Sequence, residues 1–142
     1  MTGFLLDTNV PSELTRPQSD PYVEKWLEAA DDDRLFLSAV SLGEIIKGLT
    51  ILPESKRRQQ LRKWVDETLR PWFDSRILPV NEGIAERWGI LAGECQLKGK
   101  PLAIADGLIA ATALEHDLTL VTRNVRDFGD LGLSILNPWS ER

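Results

Sequence analysis

Short apolar runs alternate with longer stretches of helical periodicity, and this alternation limits the fold more than any other feature of the chain. The runs are Phe4-Leu5-Leu6, Leu35 to Ser38, Ile77-Leu78, Leu118 to Thr122 and Ser134 to Leu136. Residues 21–30, 42–51, 55–70, 82–97 and 104–116 repeat their apolar positions at helical spacing. The runs are too short for helices and carry no in-out polar alternation, so they read as strands buried on both faces. Strands of that kind separated by helices indicate an α/β fold: a short parallel sheet of four to five strands flanked by helices, the fifth strand at the edge.

The boundaries follow from local chemistry. Pro11 favours a first helical turn around 11–16, where its missing N–H costs nothing, and Pro17 stops it. Over 21–30, Tyr22, Val23, Trp26, Leu27 and Ala30 share one face, and Asp31–Asp33 make a polar loop. Ser41 opens the helix over 42–51, and Pro53 separates it from the next. There Leu61, Trp64, Val65, Leu69 and Trp72 share a stripe, with basic residues opposite. Asn81 caps a helix over 82–97, with Ile84, Trp88, Leu91 and Cys95 in phase, and Gly99 and Pro101 end it. Residues 104–116 are so uniformly apolar that this helix must be buried on most sides.

A length of 142 residues suits one domain, 1–142, with a single core. No apolar run approaches the ~18 residues of a membrane helix, and the N-terminus does not read as a signal peptide. The only cysteine, Cys95, cannot form an intrachain disulfide, so a reducing cytoplasm is the default. A net charge of −5 argues against a surface that binds nucleic acid everywhere. It leaves room for local patches: Lys56, Arg57, Arg58, Arg62, Lys63 and Arg70 crowd one segment, and Arg123 and Arg126 lie near the C-terminus. The first group reads as a solvated helix face or as a phosphate or partner contact.

Chemistry concentrates in isolated acids. Asp7 ends the first apolar run, Glu44 follows the second, and Asp106 is the only charge between Pro101 and Thr112. Strand ends are where α/β sheets keep their sites. Three carboxylates at one spot repel unless a cation joins them, which predicts a hard divalent metal and chemistry on phosphate. Each acid also has a structural reading. Asp7 could form an Asx turn or an N-cap. Ser41-Leu42-Gly43-Glu44 matches a capping box, in which Glu44 would reach back to a backbone amide. Asp106 suits the dipole of a helix start. A fourth polar segment, Thr122 to Phe128, brings Thr122, Asn124 and Asp127 after a strand, or is an ordinary capped turn.

Other chemistries are poorly supported. No Gly-rich phosphate loop is present. His116 reads as the end of a helix, and one histidine with one cysteine cannot build a structural zinc site. The loop after Leu6 lacks the second acid of aspartyl-phosphate hydrolases, since Asn9 holds that place. Trp26, Trp64, Trp72 and Trp88 fall on apolar stripes and read as core or interface, whereas Trp139 is ambiguous.

Taken together, Leu5-Leu6-Asp7-Thr8-Asn9, Ser41-Leu42-Gly43-Glu44, Ala105-Asp106-Gly107-Leu108-Ile109-Ala110-Ala111-Thr112-Ala113 and Thr122-Arg123-Asn124-Val125-Arg126-Asp127-Phe128 resemble the PIN-domain ribonucleases. The resemblance is to VapC-like toxins of type II toxin–antitoxin pairs, including the FitB-like branch, and covers almost the whole chain. It implies a PIN-like single domain and a Mg²⁺- or Mn²⁺-dependent endoribonuclease, with Asp7, Glu44 and Asp106 as catalytic metal ligands. It implies homodimers, a VapB-like antitoxin occupying the active-site groove in a hetero-oligomer, and operator DNA bound mainly through that antitoxin. Asn124 stands where many family members have a fourth acid, which speaks against a tightly held second metal. In this reading Asp7 and Asp106 hold the main ion, and Glu44 ligates it or orients a bound water. Thr8 and Asn9 contact phosphate or orient Asp7, Thr122 and Asn124 position water or substrate, and Asp127 helps through water. The alternatives are a subunit acting mainly in operator binding, or a catalytically silent PIN domain. A dimer would use apolar surface on the 42–72 helices.

Overall fold

Phe4–Leu6 forms β1, the central strand of a five-stranded, all-parallel sheet. The structure, a computed structural model, describes residues 3–140. β2 (Leu35–Ser38) and β3 (Ile77–Leu78) lie on one side of β1, and β4 (Thr119–Val121) and β5 (Ile135–Leu136) on the other. The order is therefore β3-β2-β1-β4-β5, with the last strand at an edge as the sequence indicated.

The register pairs Leu5 with Phe36 and Leu120, and Leu6 with Leu37 and Val121. Successive strand residues leave on opposite faces, so adjacent leucines seed two cores. Leu5 packs with Ile109, Ala110, Ala113, Leu120 and Phe128. Leu6 packs with Leu35, Leu37, Val65, Leu69, Phe73 and Val121. Burial on both faces is why the strand runs lack polar alternation.

The helices are α1 (Asn9–Glu13), α2 (Pro21–Ala29), α3 (Ala39–Thr50), α4 (Lys56–Trp64), α5 (Arg70–Trp72), α6 (Glu82–Leu97), α7 (Ile104–Glu115) and α8 (Val125–Phe128). α4 runs on through a π-helical stretch, Val65–Leu69, into α5, so the helix expected over 55–70 is continuous to Trp72. Asp20 and Asn81 cap α2 and α6 with their side chains, and His116 ends α7. Arg58, Arg62 and Arg70 pair with Glu54 and Asp66 along the helix, which favours the solvated-face reading of that basic segment.

Several local expectations are corrected. α1 begins at Asn9 rather than Pro11, because the turn after β1 is already helical at Thr8. Tyr22 is 45% exposed and leaves the buried face of α2, where Val23 and Leu27 carry the contact. α3 starts at Ala39, not after Ser41: Ser38 is the N-cap, its Oγ accepting the Val40 N–H at 3.0 Å. The strand hands the chain to the helix without an intervening loop, and so the capping box does not form. Ser41 lies inside the helix, with a buried hydroxyl that has no partner.

Candidate active site

The order of strands reverses between β1 and β4, and ligands of open α/β sheets bind in the crevice such a reversal leaves at the carboxyl ends. Asp7 follows β1 and Thr122 follows β4. They meet there: Thr122 Oγ1 donates to Asp7 Oδ2 at 2.7 Å, although 115 residues separate them. The Asp7 N–H continues the ladder to the Val121 carbonyl at 2.9 Å. Asp7 is 4% exposed. Its other oxygen accepts the Thr8 N–H at 2.8 Å, and Asn9 Nδ2 approaches Oδ2 at 3.4 Å. Neither an Asx turn nor an N-cap forms at Asp7: the amide its side chain accepts is that of the next residue, not of the one two along, and Thr8 holds the N-cap position of α1, which leaves a nearly buried carboxylate facing other acids.

Glu44 arrives from the second turn of α3 rather than from a strand end. Freed from the capping box, its Oε1 accepts the Thr8 hydroxyl at 2.6 Å. Thr8 sits at the N-cap of α1 but makes no side-chain cap, its hydroxyl being committed to Glu44. Asp106 lies in the first turn of α7 and is reached from a helix, not a strand. Its placement depends on Gly107. A Cβ there would sit 2.6 Å from Trp88 Cδ1, so only glycine lets the start of α7 lie this close to α6.

The electrostatics show how closely the acids are gathered. Burial raises the Asp7 carboxyl above its ordinary value. The Thr122 and Thr8 hydrogen bonds oppose that rise, while the charges of Glu44 and Asp127 add to it. Burial, then the charges of Asp7, Asp127 and Glu44, lifts Asp106 to about 6. Four acids therefore share one field: the three expected, plus Asp127 on α8. Asn124 turns its N–H to Thr122 Oγ1 at 2.9 Å, and its side chain does not cap α8. Among the described residues, however, no three Asp, Glu, His or Cys side chains stand close enough to hold a metal ion together. The set is assembled around one crevice without closing into a ligand shell. Among the described residues, Asn9 Oδ1, on the side chain whose Nδ2 approaches Asp7, is buried and has no hydrogen-bond partner.

Two features escaped the sequence. An apolar groove of about 190 Å³ opens at Thr8 and Glu44 and runs between α3 and α4, past Ile45, Leu49, Trp64 and Val65. Its walls read as core stripes, and only their packing leaves a gap. Glu13 is the other: 4% exposed, it accepts the Asp20 N–H at 2.8 Å and pairs with Arg16, a structural use of a buried acid. A depression of about 570 Å³ between α6 and α7 includes none of the four acids. Trp26, Trp64, Trp72 and Trp139 pack half-buried against the core. Among the described residues no helix is long and apolar enough to cross a membrane.

Comparison with known proteins agrees with this architecture. A family model described as the PIN domain matches residues 4–132, and the chain belongs to that family. It is 36% identical over 138 residues to Toxin FitB of Neisseria gonorrhoeae, covering 97% of this chain and 99% of that protein. It is also 36% identical over 136 residues to VapC ribonuclease Y4jK of Sinorhizobium fredii, covering 96% and 97%. Its fold superposes with a TM-score of 0.91, at 35% identity, on a chain from the structure of FitAB bound to an IR36 DNA fragment, covering 98% and 97%. A toxin–antitoxin complex from Klebsiella pneumoniae contains a chain matching at TM-score 0.69 and 26% identity, covering 96% and 98%.

Proposed function

We propose that this chain is the toxin of a type II toxin–antitoxin pair and acts as a Mg²⁺- or Mn²⁺-dependent endoribonuclease. One observation carries the reading: four acids from separate elements share the crevice at the sheet reversal, and two of them are lifted in pKa by burial and mutual repulsion. A fold gains nothing from that repulsion, whereas a cation would relieve it. Relatives named as a toxin and as a ribonuclease support the same assignment.

The residues fit a hard divalent ion by their chemistry. All candidate donors are oxygens, and Asn9 Oδ1 adds a buried oxygen without a partner. Mg²⁺ keeps several of its waters and needs only one or two carboxylates, so an unclosed shell suffices. Asp7 and Asp106 would hold the ion, with Glu44 as direct ligand or as acceptor for a bound water. When bound, the ion would polarise the phosphoryl oxygen, favour hydroxide and stabilise the leaving oxygen. The protein's own part is positioning. Thr122 and the Thr8 N–H fix both oxygens of Asp7, and the Thr8 hydroxyl fixes Glu44. Asn124, in the turn after β4, and Asp127, on α8, would orient water or substrate. At neutral pH Asp106, lifted to about 6, is mostly ionised and available as a ligand.

The groove beginning at Thr8 and Glu44 suits an apolar segment of a VapB-like antitoxin, which would cover the acids from one end. The Klebsiella toxin–antitoxin complex supports such a partner, and the DNA-bound FitAB structure supports DNA binding by the pair. For a homodimer, exposed apolar side chains are offered both on the 42–72 helices, where Ile51 at the end of α3 is 76% exposed, and on α6 and the start of α7. Ile90 and Leu97, two turns apart on one face, are 55% and 90% exposed, and Ile104 is 66% exposed. Exposed apolar side chains gathered on one face suit association.

The test is cleavage of structured RNA by antitoxin-free protein, with Mg²⁺ or Mn²⁺ against EDTA, beside Asp106→Asn. The expected result is metal-dependent cleavage that the folded variant lacks. Equal cleavage by both proteins would sink the assignment of Asp106.

A further inference from the structure

The acidic crevice repels the substrate it is proposed to cut, and so the nearest uncompensated cations decide how RNA approaches. Most arginines are already committed. Arg16, Arg58, Arg62, Arg70 and Arg87 pair with carboxylates. Arg57 and Arg76 donate to backbone carbonyls. Arg123 and Arg126 are exposed, and among the described residues neither has a carboxylate within ion-pair distance. Both lie in the segment after β4, Arg123 beside Asn124 in the turn and Arg126 beside Asp127 on α8. Arg123 directly follows Thr122, whose hydroxyl holds Asp7, so its backbone starts at the crevice, and Arg123 and Arg126 line one depression with Asp127.

Arg123 is also oriented. Its guanidinium lies over the Trp139 ring, 5.4 Å from the centroid, and the Trp139 N–H is anchored to Asn137 Oδ1 at 2.9 Å. Stacking of this kind leaves the planar N–H edge free for a phosphate. Arg123 lines two depressions. One, about 410 Å³, also includes Asn124, Arg126 and Asp127; the other, about 330 Å³, includes Arg16 and Trp139. The second also holds Glu13, which Arg16 neutralises, and Asp20, so the uncompensated positive charge lies in the first, where Arg123 and Arg126 meet.

We propose that Arg123 and Arg126 hold the phosphates of single-stranded RNA flanking the cleaved bond, with Arg123 pre-oriented by Trp139. This rests on the ribonuclease reading above. Two cations on one short segment suit a single strand. A duplex would call for more phosphate contacts than two cations can make. The arginines are positioning residues: they set where the strand lies, not how the bond breaks.

The experiment uses fluorescence polarisation of a labelled single-stranded RNA with Asp106→Asn protein, so that binding is read without cleavage. Arg123→Ala/Arg126→Ala in that background should weaken binding about 10- to 100-fold near 0.1 M salt. It should also flatten the slope of log affinity against log salt by about 1.4, since each phosphate contact to a single strand contributes roughly 0.7. Arg123→Lys should recover most of the slope. Lys56→Ala/Lys63→Ala, exposed cations on α4, should leave it unchanged. Arg126→Gln alone, with a change of about 0.7, gives the same reading if the double variant loses its fold. In otherwise wild-type protein, the arginine substitutions should raise KM with little change in kcat. RNA binding with an unaltered slope would overturn the proposal and leave the ribonuclease reading standing. Wild-type protein that neither binds nor cuts RNA would overturn both. Tighter binding to a DNA duplex, lost on the same substitutions, would reassign the surface to DNA and overturn it as well.

Discussion

Replacing Asp106 by Asn removes one charge from a cluster that repels itself, and the consequence for stability can be worked out. Burial and the charges of Asp7, Asp127 and Glu44 lift this carboxyl from 3.8 to about 6. A group raised in the folded state favours folding below its unfolded pKa, and that contribution is lost as pH rises through the folded value, here about 6. Metal-free wild-type protein is therefore penalised at pH 8 relative to acid, and the Asn variant is not. The full shift would correspond to about 3 kcal/mol at ~1.4 kcal/mol per pH unit. Asp106 is only partly buried, and water screening reduces this to about 1 kcal/mol, or roughly 3 °C in Tm. Urea denaturation in EDTA should show Asp106→Asn more stable than wild type by about 1 kcal/mol at pH 8, with the gain falling by about half at pH 5. Added Mg²⁺ should then stabilise the wild type more than the variant. A variant less stable at pH 8, or a gain independent of pH, would refute the picture of Asp106 as a strained, functional charge.

Two further outcomes probe the local structure. Ser38→Ala should cost about 1 kcal/mol through loss of the α3 cap, whereas Ser41→Ala, which deletes a buried hydroxyl without a partner, should be neutral or stabilising by up to about 1 kcal/mol; urea midpoints that reverse this ranking would restore the capping box. Thr122→Val should cost about 1–3 kcal/mol by taking a donor from a buried carboxylate. That cost should be larger at pH 8 than at pH 5, because the Asp7 carboxyl rises further, and RNA cleavage should fall while RNA affinity holds.

The strands were legible because burial on both faces leaves no room for polar residues, and Phe4–Leu6, Leu35–Ser38 and Ile77–Leu78 carry that mark directly. The acids were legible by their isolation among apolar neighbours. Their routes into the site were harder to read. Ser41-Leu42-Gly43-Glu44 matches a capping pattern, but helix starts are set by where the preceding strand ends, and β2 ends at Ser38. Likewise nothing local marks Thr122 as the partner of Asp7, and a basic run at 56–70 draws more notice than Arg123 and Arg126.

By itself, then, the sequence determined which residues are strand, which are helix and which acids are out of place, because these follow from periodicity and the cost of burying charge. Only the tertiary structure decided that β1 lies between β2 and β4, which joins Asp7 to Thr122. It also decided that Thr8 is spent on Glu44, and that Gly107 brings Asp106 within reach of the other acids. Strand order and helix approach are set by long-range packing, and a contact across 115 residues leaves no periodic trace in the chain.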